Sequence, residues 1–255
     1  MKVALIQTEL HWENPEANRN HFEELINAIT EKVDLIVLPE MFSTGFTMNP
    51  TKVAESMSDK TIHWMKSIAK LKTSAIVGSL VIRENEHYYN RLVFVFPSGE
   101  IKKYDKKHLF TLAGEDRIYT AGNEKLIVEY LDFKICLLIC YDLRFPVFSR
   151  NTEDYDALIY VANWPKLRIN AWDILLKARA VENQCFAIGV NRIGTDNNNH
   201  EYVGHSQIVD FLGNHVLEPQ ETEDVFIANL DKKDMLEIRK KLDFLADRDR
   251  FSFSD

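Results

Sequence analysis

Two periods of hydrophobic and polar positions alternate along the chain. Apolar runs of strand length recur at residues 2–8, 33–38, 75–83, 88–96, 126–130, 133–139, 157–162, 185–192, 202–211 and 225–230. Each predicts a strand, and the runs apolar at every position predict strands buried on both faces. Between them lie segments whose apolar residues fall three and four apart, the spacing of one helix face. Asn14 and Pro15 supply the cap and first turn of a helix carrying Phe22, Leu25, Ile26 and Ile29. Residues 58–71, with Ile62, Met65 and Ile68, predict a second helix, and residues 146–151, 169–183 and 231–242 predict three more. The turn Pro97-Ser98-Gly99-Glu100 leads into a short strand over 101–104. Residues 105–124 are polar and irregular, and a loop of that length is often functional. A polar tail follows residue 242.

Strands and helices alternate through the first half, then strand pairs interrupt. That order argues for a layered α/β fold with more than one sheet. No repeat or compositional break divides the chain, so residues 1–255 are expected to form a single domain. The longest apolar stretches fall well short of the roughly 20 residues a membrane helix needs. The first residues read as a strand rather than a signal peptide. A net charge of −8 argues against nucleic acid or an anionic membrane as partner. The lysines at 102, 103, 106 and 107 are diluted by Asp105 and His108, and Lys102 and Lys103 read as a solvated turn. Three cysteines, Cys136, Cys140 and Cys185, point to free thiols in a reducing cytoplasm. Cys136 and Cys140 share a strand face, but no second Cys or His pair has ligand spacing, so no metal is expected. Cys136 and Cys185 read as small core residues.

Candidate chemistry gathers at strand ends. Cys140 closes the run Phe133-Lys134-Ile135-Cys136-Leu137-Leu138-Ile139-Cys140 and is followed by Tyr141-Asp142-Leu143-Arg144-Phe145-Pro146. The run Leu35-Ile36-Val37-Leu38 ends likewise, in Pro39 and Glu40. The carboxyl ends of core strands are where α/β folds place ligands and chemistry. Hydrolysis of an amide through a thiol needs a thiolate, a base to make it, a donor for the oxyanion and an acid for the departing amine. Cys140 and Glu40 can supply nucleophile and acid/base, and the electrophile is sought in Tyr104-Asp105-Lys106-Lys107-His108-Leu109-Phe110. Taken singly, each residue has a plainer reading: a solvated strand cap, a core thiol, a surface lysine.

Three stretches in order, Leu38-Pro39-Glu40, Lys106-Lys107-His108-Leu109-Phe110 and Cys140-Tyr141-Asp142-Leu143-Arg144-Phe145-Pro146, resemble the signatures of the nitrilase (carbon–nitrogen hydrolase) superfamily. The resemblance continues through Val161-Ala162-Asn163-Trp164-Pro165 and Ala178-Arg179-Ala180-Val181-Glu182-Asn183-Gln184, so it spans nearly the whole chain. It implies a four-layer α-β-β-α sandwich, a homodimer and a Glu-Lys-Cys triad of Glu40, Lys106 and Cys140. The lysine stands two positions before the histidine of the middle motif, which selects Lys106 over Lys107. The second glutamate of many members falls on Glu115, with Asp116 as the competing choice. His108 is expected to hold the Lys106 loop by hydrogen bonds rather than to form a Cys-His dyad.

The stretches from Leu109 to Glu115, Tyr160 to Pro165 and Cys140 to Pro146 look most like the omega-amidase branch. By that resemblance the substrate is a small-molecule amide, the omega-amide of a 2-oxo dicarboxylic acid such as 2-oxoglutaramate or 2-oxosuccinamate. The products are the dicarboxylate and ammonia, through a thioester on Cys140, with no cofactor. The backbone N–H of Tyr141 is expected to share the oxyanion with Lys106. Trp164 reads either as a core residue or as a wall of the acyl pocket. Arg144 reads either as a partner of Asp142 or other carboxylates, or as a substrate contact. The substrate anion needs a local cation, and Arg117, Arg144, Lys166 and Arg168 are not ranked by the sequence. Trp12, Trp64 and Trp172 read as packing, and His63, His87, His200, His205 and His215 as surface or packing. The alternatives are another amidase of the family, acting on deaminated glutathione or N-carbamoyl compounds, or a catalytically silent binding protein of the same fold.

Overall fold

The computed structural model describes residues 1–253. Ser254 and Asp255, the end of the polar tail, lie outside the described residues. In chain order the elements are β1 (Lys2–Gln7), α1 (Pro15–Ala28), β2 (Leu35–Val37), α2 (Pro50–Val53), α3 (Lys60–Lys72), β3 (Ala75–Glu84), β4 (His87–Val95) and β5 (Ile101–Asp105). Then come β6 (Leu126–Tyr130), β7 (Phe133–Ile139), α4 (Pro146–Ser149), β8 (Ala157–Ala162), α5 (Ile169–Asn183), β9 (Phe186–Asn191) and β10 (Ile193–Thr195). The chain closes with β11 (Glu201–Val203), β12 (Ser206–Val209), β13 (His215–Gln220), β14 (Asp224–Asn229) and α6 (Lys232–Lys241).

Two six-stranded sheets form, in the orders β14-β1-β2-β3-β4-β5 and β13-β12-β9-β8-β7-β6. The centre of each is parallel, β1-β2-β3 in one and β7-β8-β9 in the other. Their strands are apolar on both faces because both faces are covered. Alternate residues of the first sheet sort cleanly by side. Val3, Leu5, Leu35, Val37, Val77 and Phe94 join the core between the sheets. Ala4, Ile6, Ile36, Ile76, Val93 and Val95 pack with Phe22 and Ile26 of α1 and Ile62, Met65 and Ile68 of α3. On the far side α5 presses Trp172 and Leu176 so closely on β9 that a Cβ at Gly189 would come within 2.5 Å of Leu176. The result is the expected α-β-β-α layering.

The chain departs from expectation mainly after β9. The strand expected over 202–211 is two strands in different sheets, β11, which pairs with β10 in a small two-stranded sheet, and β12, separated by Gly204 and His205 at φ of 75° and 61°. A side chain at Gly204 would collide with Gln7. β13 is a further strand that the pattern did not show. It carries Pro219 and lies at a sheet edge, a place where a strand tolerates proline. The turn of helix α2 and the short β10 were also not expected.

Candidate active site

Three strand ends of the two sheets converge. Glu40 lies just past β2, Cys140 directly after β7, and Lys106 directly after β5. Cys140 adopts φ of 42° and Met41, next to Glu40, 43°. Non-glycine residues rarely take this left-handed conformation, and it marks sharp turns at functional sites. The turn ends β7 abruptly and leaves Cys140 partly exposed at the strand lip. Lys106 is held by its backbone: its N–H donates to the Asn90 carbonyl and its carbonyl accepts from the Gly122 N–H, both at 3.0 Å.

Lys106, Glu40 and Glu115 are fully buried and share one amine. Lys106 Nζ donates to Glu40 Oε1 at 2.8 Å and to Glu115 Oε2 and Oε1 at 2.9 and 3.1 Å. Burial alone would depress the ammonium, but Glu115 and Glu40 outweigh it and hold the lysine above its ordinary range. Burial raises the Glu115 carboxyl and Glu40 raises it further, against the pull of Lys106. Glu115, not Asp116, reaches the lysine, and Asp116 is exposed.

Two asparagines complete the cluster. Asn90 Nδ2 donates to Glu40 Oε1 at 2.8 Å and to Glu115 Oε1 at 3.2 Å. The backbone N–H of Asn163, at the end of β8, donates to Glu40 Oε2 at 2.8 Å, and its side chain to the Glu40 carbonyl at 2.6 Å. Neither had been assigned a role from sequence. The only local signal for Asn90 is an amide opening the apolar half of β4.

Cys140, Glu40 and Lys106 line one cavity of about 600 Å³. Burial pushes the Cys140 thiol well above its usual value, and the charge of Glu40 adds to that while Lys106 opposes it. The resting group is therefore a thiol that needs a base. Tyr141, Arg144, Trp164 and Arg168 line the same cavity. Trp164 is fixed as a wall by its backbone N–H on Asn191 Oδ1 and its indole N–H on the Arg168 carbonyl, both 2.8 Å. Arg144 lies 4.9 Å over the Trp164 ring and Arg168 5.1 Å over Phe110.

Among the described residues neither Arg144 nor Arg168 has a carboxylate partner. The pairing of Arg144 with Asp142 does not occur, because Asp142 is taken by Tyr104, His108 and the Ile139 N–H. Of the other cations, Lys166 is paired with Glu201 and Arg117 lies outside the cavity. Trp12 and His200, read as packing or surface, line the cavity too.

The carbon-nitrogen hydrolase family model matches residues 2–240. An omega-amidase YafV of Escherichia coli (strain K12) is 40% identical over 98% of each chain. A 2-oxoglutaramate amidase of Bacillus subtilis (strain 168) is 34% identical over 96% of each. A CN-hydrolase superfamily protein of Xanthomonas campestris, solved with an arsenic adduct in its active site, superposes with a TM-score of 0.97 at 38% identity, covering 100% of this chain and 99% of that one.

Proposed function

The chain belongs to the carbon–nitrogen hydrolase family, and from that premise we propose that it hydrolyses the omega-amide of small 2-oxo dicarboxylic acid monoamides. 2-Oxoglutaramate and 2-oxosuccinamate are the substrates, and the dicarboxylate and ammonia are the products. One observation carries the reading: Cys140 shares a cavity with the buried Glu40 and Lys106, the latter backed by Glu115, and with two guanidinium groups that have no carboxylate partner among the described residues.

In this reading Glu40 accepts the Cys140 proton, and the thiolate attacks the amide carbonyl. The Lys106 ammonium and the Tyr141 backbone N–H hold the oxyanion. Glu40 returns the proton to nitrogen, the C–N bond breaks, and ammonia leaves a thioester on Cys140. Glu40 then activates the water that hydrolyses it. Glu115 aims Lys106 by taking its Nζ on both oxygens. Arg144 and Arg168 receive the substrate carboxylate, and Trp164 forms the wall behind the chain.

The test is ammonia release from 2-oxoglutaramate, glutamine, a carbamoyl amino acid and a nitrile. Fastest release from the carbamoyl compound would move the chain to that branch, and release from none would leave a binding protein. A hydrogen bond to a charged group contributes about 1.5–3 kcal/mol. Arg144→Ala or Arg168→Ala should therefore raise KM for 2-oxoglutaramate roughly ten- to a hundred-fold. A neutral amide of equal length should be little affected, and an equal loss on both would remove these arginines from anion binding.

We also infer a single-domain protein acting in the cytoplasm as a homodimer. No helix among the described residues is long and apolar enough to cross a membrane. The outer face of α5 leaves Ile174 and Val181 58% and 49% exposed, and Leu167 and Leu212 are exposed as well. Light scattering should give a dimer mass, and Ile174→Glu with Val181→Glu should give a monomer. A monomeric wild type would end the proposal.

A further inference from the structure

Asp142 is fully buried, and it binds the chain on both sides of Lys106 and on both sides of Cys140. On the lysine side, its Oδ2 accepts the Tyr104 hydroxyl at 2.8 Å. Its Oδ1 accepts the His108 backbone N–H at 3.0 Å and the His108 ring Nδ1–H at 2.8 Å. The Tyr104 oxygen in turn accepts the Lys107 N–H at 3.0 Å. Residues 104, 107 and 108 therefore bracket Lys106. On the thiol side, Oδ2 accepts the Ile139 N–H at 2.9 Å, so residues 139 and 142 bracket Cys140.

Four donors compensate the buried charge, which is the condition for keeping a carboxylate in a core. Among the described residues the group has no other partner: Arg144, two residues on, turns away onto Trp164. The His108 ring is clamped as well, stacked 3.7 Å from Phe145 on the same turn that carries Cys140. Burial and the charge of Asp142 both push the Tyr104 phenol well above its usual titration, so it remains a donor at neutral pH. Lys106 and Cys140 follow strands of different sheets, and among the described residues β5 and β7 are joined by side-chain hydrogen bonds through this carboxylate, from Tyr104 on one side and the Ile139 N–H on the other.

We propose that Asp142 is the positioning residue of this site, a single carboxylate that sets the distance between the Lys106 ammonium and the Cys140 sulfur by tethering both loops. It touches neither reacting atom and acts through Tyr104, His108 and the Ile139 peptide. The inference rests on the amidase reading for its kinetic arm only, because its second arm needs no substrate. Asp142→Asn exchanges an acceptor oxygen for an N–H₂ group that faces donors. Tyr104→Phe cuts the lysine tether while keeping the ring in place.

The experiment measures kcat and, separately, the pH dependence of Cys140 alkylation by iodoacetamide. A displacement of about 1 Å between reacting groups can cost about a hundred-fold. Asp142→Asn should lose kcat on that scale, and Tyr104→Phe several-fold. In both, the alkylation rate should move to higher pH, since a lysine set farther off lowers the thiol less. Tyr155→Phe, at a buried tyrosine whose hydroxyl donates to the Ser149 carbonyl, is the control that should move neither. An alkylation profile unchanged in Asp142→Asn and Tyr104→Phe, with kcat falling only as folded protein is lost, would overturn the proposal. If Asp142→Asn does not fold, Tyr104→Phe decides alone. Should alkylation shift in a chain that hydrolyses no 2-oxo amide, the tether stands and the substrate assignment fails.

Discussion

Cys140→Ala is expected to abolish ammonia release and to leave the protein folded. The loss should reach about 10⁵–10⁶-fold, the scale on which other enzymes lose rate when their nucleophile is removed. Stability should barely change. The residue is partly exposed at a strand end and borders the existing cavity, so truncation there opens no new closed void. Iodoacetamide separates the three thiols. Burial raises all three thiols, but Cys136 and Cys185 lie in the core whereas Cys140 lines the cavity. Cys140 should label first, and labelling should track the loss of activity. Rapid modification of Cys136 or Cys185 with full turnover retained would remove Cys140 from the mechanism.

The legibility of this site followed the range of the interactions. Strand ends were readable because β2, β7 and β8 are short continuous apolar runs, and the residue that closes such a run is the residue at the sheet lip. The alternation of strands and helices carried layering but not partners, and strand order came only with the structure. β13 escaped because its alternating half-buried and exposed positions include a proline. The asparagines around Glu40 escaped for a different reason. Asn90 and Asn163 bond Glu40 across 50 and 123 residues of sequence. No periodicity encodes such a contact, and an amide in a strand looks like a weakness in it. The same holds for Arg144: sequence proximity suggested Asp142, whereas the folded chain had already committed that carboxylate to Tyr104 and His108.

Lys106→Ala should cost both activity and stability, and the two losses have separate origins. Removing an oxyanion donor costs about 10²–10³ in rate in other enzymes. Here the cation also balances two buried carboxylates. Without it Glu40 and Glu115 keep Asn90 in common but have no positive partner. Breaking a buried pair in this way costs about 3–5 kcal/mol. Two such carboxylates cannot both stay ionised, so one takes a proton, and a protonated Glu40 is no base. The raised carboxyls of the variant favour folding when protonated. Its deficit against wild type should therefore be full above the raised titration, shrink as the pH falls through it, and be least below about pH 4.3, the ordinary glutamate value. In the wild type the lysine is held above its ordinary range, so its share of stability persists up to about pH 10.4 and is lost only in stronger alkali. Lys107→Ala is the neighbouring control. Its Nζ reaches only Asn123, at 3.3 Å, and the change should be mild. If Lys107→Ala were the more damaging, the register of this loop would be wrong. The decisive variant is Lys106→Ala with Glu115→Gln. Thermal unfolding should recover much of the lost stability, because one buried charge has gone, while turnover should stay about 10²–10³-fold below wild type, because the ammonium has not returned. Recovery of turnover together with stability would show that Lys106 only balances charge and takes no part in the chemistry.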